Sequence, residues 1–572
     1  MEKGNSGKPS WKPFLAPHSK LVMKSKSPEM KITIGVVMIM GIAAVVMSSY
    51  YLPFDDLNSL LLCRKDYHCN EQLQKLHMEQ HKQGQNHMRH IFAADDDYQQ
   101  AEDHLQRNST SELSEQLDQE QQVVSEPHIL REWEMPAVTE TREWEDDQGY
   151  GIPTRFVPMG TASFLWIHFS AYRGSSNSFA VVGLGPKPLH VYGDPGFECY
   201  WEPEDAKSMK IVGNVTVFLP DWGFGRQYTT VVLNCTFESD VGVNGTGGQL
   251  EVVATHGSLD TTGLQDVRYV ALTEQPGEYY NDSIFHAPFK YEYLYCGSPW
   301  FGVLSPQRIR EWLSYTMMVL GPLSHFILYD AGGIEDEHRR ILNPWIKMGR
   351  VTLMNLRGEA RYDAFYYNQF LVVNDCLFRS KTLANWTFYF DADEYVHIHW
   401  NHTLDSIMKE IQNSGVKGMQ VMFEQRPMHH NSCVANHPWI TDRNESRLWT
   451  MEKLTYRRTQ ITEAQGHMNM KYAIQAKYAM ATGVHRSENL MFPRPGMDPD
   501  EVTTFEDWRM HYYHYHNTIN HLGEVCLDFI DASVNETKLQ NVTHIFDDTM
   551  VWVAPAVKQF ELKMIGQLPP VL

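Results

Sequence analysis

Hydrophobic and polar positions follow four different patterns along the chain. Residues 32–54 carry no charged side chain and are dominated by Ile, Val, Met and Ala. A helix crossing a bilayer core of about 30 Å needs roughly 20 such residues, so this segment is predicted to span a membrane once. Residues 55–130 reverse the balance. Glu, Gln, Asp and His dominate there, and the sparse apolar side chains cannot offset the entropy of ordering a core. This segment reads as a stem, with some helix between Glu71 and His90. Over residues 131–285, short alternating or β-branched runs such as 163–169, 179–182, 210–218 and 229–233 lie between Gly, Pro and Asp turns. That spacing predicts a β-sandwich.

From residue 286 to the end, 572, strand and helix patterns alternate. Strands are predicted at 291–296, 325–330 and 351–356, with helices at 306–320, 336–348 and 363–380, before a strand that runs into Asp391. Such alternation predicts an α/β domain built on a doubly wound, mostly parallel sheet. Gly183-Leu-Gly185 is not a dinucleotide fingerprint, because Pro186 follows and no helix opens.

Charge sharpens this division. The formal net charge is -21, and no strongly basic face is evident, which argues against nucleic-acid binding. Residues 1–31 run the other way, with seven lysines against Glu2 and Glu29. Asp55 and Asp56 follow the span, so the positive-inside rule puts the N-terminus in the cytoplasm and the bulk in the secretory lumen. Met47-Ser-Ser-Tyr-Tyr-Leu-Pro makes a poor cleavage site, which favours an uncleaved anchor over a signal peptide. Ten Asn-x-Ser/Thr sequons follow the span, at Asn108, Asn214, Asn234, Asn244, Asn281, Asn385, Asn401, Asn444, Asn535 and Asn541. All eight cysteines also follow it, where disulfides are permitted. Their connectivity is open, and the lack of a Cys-x-x-Cys pair argues against zinc or thioredoxin-type chemistry.

The chemistry concentrates in Trp386-Thr-Phe-Tyr-Phe-Asp391-Ala-Asp393-Glu394-Tyr395. Read as extended chain, Asp391 and Asp393 point to one side. Their oxygens suit a hard divalent cation such as Mn²⁺ or Mg²⁺, and that cation can hold a diphosphate. Open α/β sheets place ligands at the carboxyl ends of their strands, which is where this pair falls. In the β-rich segment, Trp201, Trp222 and Tyr228 are either a sugar-stacking platform or ordinary sandwich core.

Cys296-Gly-Ser-Pro-Trp-Phe-Gly302, His325-Phe-Ile-Leu-Tyr-Asp330, Asn374-Asp-Cys376, Phe390-Asp-Ala-Asp-Glu-Tyr395 and Ala481-Thr-Gly-Val-His485 together resemble glycosyltransferase family 92, in particular the plant β-1,4-galactan synthases. The resemblance covers about residues 290–520. It implies a GT-A fold, a Mn²⁺-type cofactor, Golgi anchoring, a carbohydrate-binding β-domain, and transfer from UDP-galactose to pectic β-1,4-galactan. The alternatives are another UDP-sugar or an N-glycan acceptor, or a non-catalytic polysaccharide-binding protein. A homodimer through the stem, with Cys63 and Cys69, or through the β-domain is also implied.

On that reading Asp393 is a direct metal ligand. Asp391 is a ligand directly, through water, or to the ribose. His485 is the expected third ligand by family position, with His511, His514 and His516 as rivals or as alternating strand histidines. His397 and His399 are read as structural. Asp330 is expected to meet uridine or ribose, and Gly297 and Ser298 to let the backbone approach the nucleotide. Lys471 or Lys477 either contacts the diphosphate or lies solvated on a helix. Inversion at the sugar carbon requires a base. Glu424 and Asp507 are the rival candidates, and Glu394, adjacent to the metal motif, is a third, though expected to point away from Asp393.

Overall fold

The computed structural model describes residues 156–567 apart from several internal stretches, the longest being 187–194, 257–265, 436–447, 460–468 and 492–504. The span at 32–54, the stem, Cys63, Cys69, Asn108, Trp222, Asn444 and Asn541 lie outside the described residues. No helix among the described residues is long and apolar enough to cross a membrane.

Eight antiparallel strands form the N-terminal β-domain. They are β1 (Val157–Met159), β2 (Trp166–Ser175), β3 (Ser178–Pro186), β4 (Gly196–Pro203), β5 (Ile211–Phe218), β6 (Tyr228–Thr236), β7 (Gly248–Thr255) and β8 (Val267–Glu274). Their order is β1-β2-β3-β6-β5-β4-β7-β8. The sheet folds over itself so that Trp166, Phe179, Val181, Val231 and Leu233 pack on Trp201, Leu250 and Val252. The Cys199–Cys235 disulfide joins β4 to β6 across this core. Trp201 is 1% exposed and stacks on Phe179 with ring centroids 5.2 Å apart. It is therefore core, and the platform reading fails for it; Tyr228 is likewise half-buried against the domain interface. Gly183 sits in β3, where a Cβ would collide with the Trp166 indole.

β3 reads as an unbroken apolar run because both its faces are covered. Phe179 and Val181 face the sandwich core, whereas Ala180, Val182 and Leu184 join the core of the C-terminal domain. The two domains thus share one apolar interior, built against the helix at Gln369–Ser380.

The C-terminal sheet collects β9 (Tyr291–Cys296), β10 (Ser324–Asp330), β11 (Val351–Asn355), β12 (Ala384–Tyr389), β13 (Glu394–Ile398), β14 (Gln420–Pro427), β17 (Lys471–Ile474) and β20 (Phe505–His514). Intervening short strands are β15 (Ser432–Val434), β16 (Tyr456–Arg458), β18 (Ala479–Ala481) and β19 (Asn489–Leu490). The helices used below are α1 (Pro306–Leu320), α2 (Asp336–Lys347) and α3 (Gln369–Ser380). Sheet order is β11-β10-β9-β12-β17-β14-β20-β13. The first four strands are parallel, as the strand–helix alternation predicts. Beyond β12 the sheet is mixed. β17 runs antiparallel to both β12 and β14, β14 runs parallel to β20, and β13 runs antiparallel to β20, so only β17 and β13 depart from the parallel expectation. For β13 the reason is local. Only four residues separate β12 from β13, too few for a parallel crossover of a dozen or more. The chain instead turns at 390–393 and re-enters the sheet at its far edge, beside β20.

α3 begins at Gln369, six residues later than its pattern predicts, because Tyr366, Tyr367 and Asn368 all adopt left-handed backbone. Its far end locks the β-domain in place. Asp375, fully buried, accepts from Tyr172 of β2 at 2.5 Å, from Tyr329 at 2.6 Å and from Arg379 at 2.7 Å. Burial alone would raise the Asp375 carboxyl, but the Arg379 guanidinium and the hydroxyl donors outweigh it and hold it below the ordinary carboxylate range. A depressed carboxylate adds stability above its unfolded value of about 3.9, and that stability is lost as pH falls from there through the lower folded value. Asp375→Asn leaves Arg379 buried without its counter-charge and is expected to cost about 3–5 kcal/mol at neutral pH. In urea titrations the gap to wild type should narrow below about pH 4. An unchanged gap would show that the ion pair contributes nothing.

Candidate active site

The 390–393 turn runs over the carboxyl ends of the central strands. The Glu394 amide donates to the Asp391 carbonyl at 3.1 Å, closing a β-turn. Asp391 and Asp393 therefore reach one cleft from a turn rather than from the extended run expected of them. The Asp391 carboxylate accepts from Ser298 and Gln369 on one oxygen and from Lys471 at 2.8 Å on the other. Burial alone would raise this carboxyl, but Lys471 and the Ser298 hydroxyl outweigh it and hold it at about 2. Asp393 is pushed up to about 7, first by burial and then by the charge of Asp391. The pair is thus split: one carboxylate is held as a fixed anion, and the other is in need of a positive partner.

Lys471 opens β17 and is 2% exposed. It is neither solvated nor on a helix, and it lies 3.5 Å from Glu394 as well as 2.8 Å from Asp391. Burial works against its charge, but the surrounding carboxylates outweigh that and keep it cationic. Lys477 lies on a single 3-10 turn with its ammonium over the Tyr478 ring, and it does not line the cleft. Glu394 is 1% exposed and faces inward, where it accepts the Asp391 amide at 2.7 Å. It shapes the turn and cannot reach an acceptor.

Across the cleft, the end of β20 brings His514 and His516 to Asp393. The His514 Nε2 lies 3.7 Å from an Asp393 oxygen and 3.3 Å from the His516 Nδ1. Ligand atoms of Asp393, His514 and His516 all fall within 4.8 Å of one another. Burial holds the His514 imidazole at about 3, so it is neutral and able to donate a lone pair. Gln425 of β14 fixes its other nitrogen. Two of the rivals are thus brought to Asp393. His485 is outside this group: its Nδ1 faces the Met470 carbonyl at 3.0 Å, within electrostatic range of Asp391. His511 pairs with His397 across β20 and β13 and does not line the cleft.

The remaining candidates are dispersed. Gly297 is required because a Cβ would meet the Phe390 carbonyl at 2.6 Å and the Tyr295 hydroxyl, so its role is packing under the turn. Ser298 does reach the cleft, as a donor to Asp391. Asp330 is fully buried and binds the Gly332 amide at 2.9 Å and Arg357 at 2.7 Å, so it braces the loop after β10 rather than facing a ligand. Glu424 is exposed on β14, and Asp507 is clasped by the Arg509 fork at 2.6 and 2.8 Å. Neither lines the cleft. None of the three acids expected as base is brought to it.

Two features had no sequence signal. Gln369, expected inside a helix, starts α3 and donates to both Ser298 and Asp391. Tyr366 lines the cleft from a left-handed turn that no glycine marks. Asn374 carries α3's alignment further, bonding the backbone of Thr482 at 2.8 Å in both directions. The Cys296–Cys376 disulfide ties the same helix to the end of β9.

Residues 291–551 match the family described as Glycosyltransferase family 92. The chain is 40% identical over 415 residues to galactan beta-1,4-galactosyltransferase GALS1 of Arabidopsis thaliana, spanning 72% of this chain and 78% of the relative. It is 40% identical over 422 residues to GALS3 of the same plant, and 39% over 419 residues to GALS2, with 79% and 76% of those relatives covered. The chain belongs to glycosyltransferase family 92. Its likeness within that family is to enzymes named for building galactan.

Proposed function

We propose that the protein transfers galactose from UDP-galactose to the non-reducing end of β-1,4-galactan with inversion, on a GT-A-type catalytic domain. The observation that carries this reading is the Asp393–His514–His516 group at the strand ends of a domain similar to galactan galactosyltransferases. One carboxylate and two neutral imidazoles fit a divalent cation of the Mn²⁺ kind. Bound there, that cation supplies charge neutralisation for the departing diphosphate.

The chain's own residues account for the rest. Lys471, Ser298 and Gln369 hold Asp391 as a fixed anion at the cleft floor. Gln425 and the Asn517 amide, 3.2 Å from Asp393, fix the donor set from behind. In the reaction the acceptor hydroxyl oxygen bonds to the sugar C1 as the bond from C1 to the diphosphate breaks, and the hydroxyl proton passes to a base. Three disulfides among the described cysteines support a body in an oxidising compartment. With the apolar stretch at 32–54 they favour a Golgi-type lumenal enzyme anchored by that stretch.

The test is a panel of UDP-sugars with β-1,4-galacto-oligosaccharides and the full-length protein, with and without chelator. Galactose should be transferred, activity should fall to background with EDTA, and added Mn²⁺ should restore it. Transfer of another sugar in place of galactose would sink the donor assignment. Full activity in chelator would sink the metal assignment.

A further inference from the structure

Beside the metal group the cleft has an aromatic wall that none of the roles above uses. Phe301, from the segment after β9, stacks on Tyr367 with centroids 3.6 Å apart, and Tyr366 meets both rings edge-on. Tyr366 is 54% exposed and Tyr367 is 43% exposed. Three consecutive non-glycine residues, Tyr366, Tyr367 and Asn368, hold φ of 50°, 56° and 67°. Such backbone persists only where its surroundings impose it, and it concentrates at ligand sites. Here the constraints are visible. The Asn368 side chain accepts the Ala364 amide at 2.9 Å, the Gln369 amide donates to the Tyr366 carbonyl at 3.2 Å, and Gln369 is itself tied to Asp391.

Position in the sheet says which part of a substrate meets this wall. The wall follows β9 and precedes β12, so it belongs to the parallel half, where open α/β sheets seat a nucleotide at their strand ends. The metal group lies on the other side of Asp391, against β20, and marks the diphosphate. The nucleoside then extends from the diphosphate toward the parallel strands, and the acceptor enters from the β20 side.

We propose that Tyr366, backed by the Phe301–Tyr367 stack, is the surface on which the uracil ring of the donor stacks. The inference rests on the UDP-sugar reading above and adds the residue that grips the base. Aromatic side chains hold bases through their flat faces, and removing one such contact typically weakens binding about fivefold to a hundredfold. The left-handed turn presents the ring to the cleft rather than into the core.

The test is calorimetric titration of the full-length protein with UDP in saturating Mn²⁺, comparing wild type with Tyr366→Gly and Tyr366→Phe. Glycine removes the ring and relieves the backbone, so the melting temperature should hold or rise. UDP affinity should fall at least about fivefold in Tyr366→Gly and stay within about twofold in Tyr366→Phe, while affinity for inorganic pyrophosphate stays unchanged in both. The KM for galacto-oligosaccharide should also stay unchanged. Wild-type UDP affinity in Tyr366→Gly overturns the proposal, as does a rise in acceptor KM alone, which would make the wall an acceptor surface. A lowered melting temperature with equal losses for UDP and pyrophosphate overturns it too, because the ring would then be a structural prop. Failure of the wild type to bind UDP would instead remove the nucleotide reading beneath it, an outcome distinct from all of these.

Discussion

Asp393→Asn is expected to lower galactose transfer by about 10²–10³ while leaving the fold and its melting temperature intact. The magnitude follows from removing one charged group that stabilises a developing anion in a preorganised site. The fold should survive because the Asp393 side chain accepts from backbone amides that asparagine can also accept from, among them Asn517 at 3.2 Å, and the turn is held by the backbone and by Glu394. Its carboxyl is pushed up to about 7 by burial and by Asp391, so without a cation it is a cost rather than a support. A carboxyl with a raised folded value destabilises the protein as pH climbs above about 3.9. The asparagine variant should therefore be at least as stable as the metal-free wild type at pH 8. Mn²⁺ titration supplies the independent readout: binding should weaken strongly in Asp393→Asn and in His514→Ala, but hold in His485→Ala. Retained Mn²⁺ affinity in Asp393→Asn, or its loss in His485→Ala alone, would reverse the assignment made from the Asp393–His514–His516 group.

Lys471→Met should be the most damaging single change to stability near the site. The methionine fills a similar volume but leaves Asp391 and Glu394 without their cation, and both lie in or beside the core. Breaking a buried pair by removing one partner costs about 3–5 kcal/mol. The gap to wild type closes in acid, as for Asp375→Asn, but here because the variant gains stability there rather than because the wild type loses it. Uncompensated carboxylates acquire raised folded values, so the variant should lose stability as pH rises from about 4 and approach wild type in acid. Adding Glu394→Gln should recover part of the loss, since one of the stranded charges is then gone. A double variant no more stable than the single one, across pH 4 to 8, would show that Lys471 contributes packing and not charge.

The parallel half of the catalytic sheet was legible in the sequence. β9, β10, β11, β12, α1 and α2 fall within a few residues of their predicted positions, because each depends on local periodicity. The acidic motif was legible as chemistry for the same reason: its residue types and spacing are local. The start of α3 was misplaced because Tyr366 and Tyr367 take a conformation that only distant packing can impose on tyrosine. Trp201 shows a second limit. Its strand was predictable, but an aromatic in a strand looks the same whether it faces solvent or a second layer of sheet, and here it is sealed beneath Phe179.

By itself the sequence determined the succession of elements, the acidic turn as a candidate metal site, and the family resemblance. Only the tertiary structure decided which partners meet that turn. Lys471 is 80 residues from Asp391 and Asn517 is 124 from Asp393, so neither contact leaves a trace in local periodicity. The sheet order decides them. A four-residue link cannot make a parallel crossover, so the chain passes over β17, β14 and β20 and sets Asp391 above a buried lysine and Asp393 beside two histidines. The contact that binds the β-domain to the catalytic core is equally non-local: Asp375 of α3 accepts from Tyr172, 203 residues away along the chain.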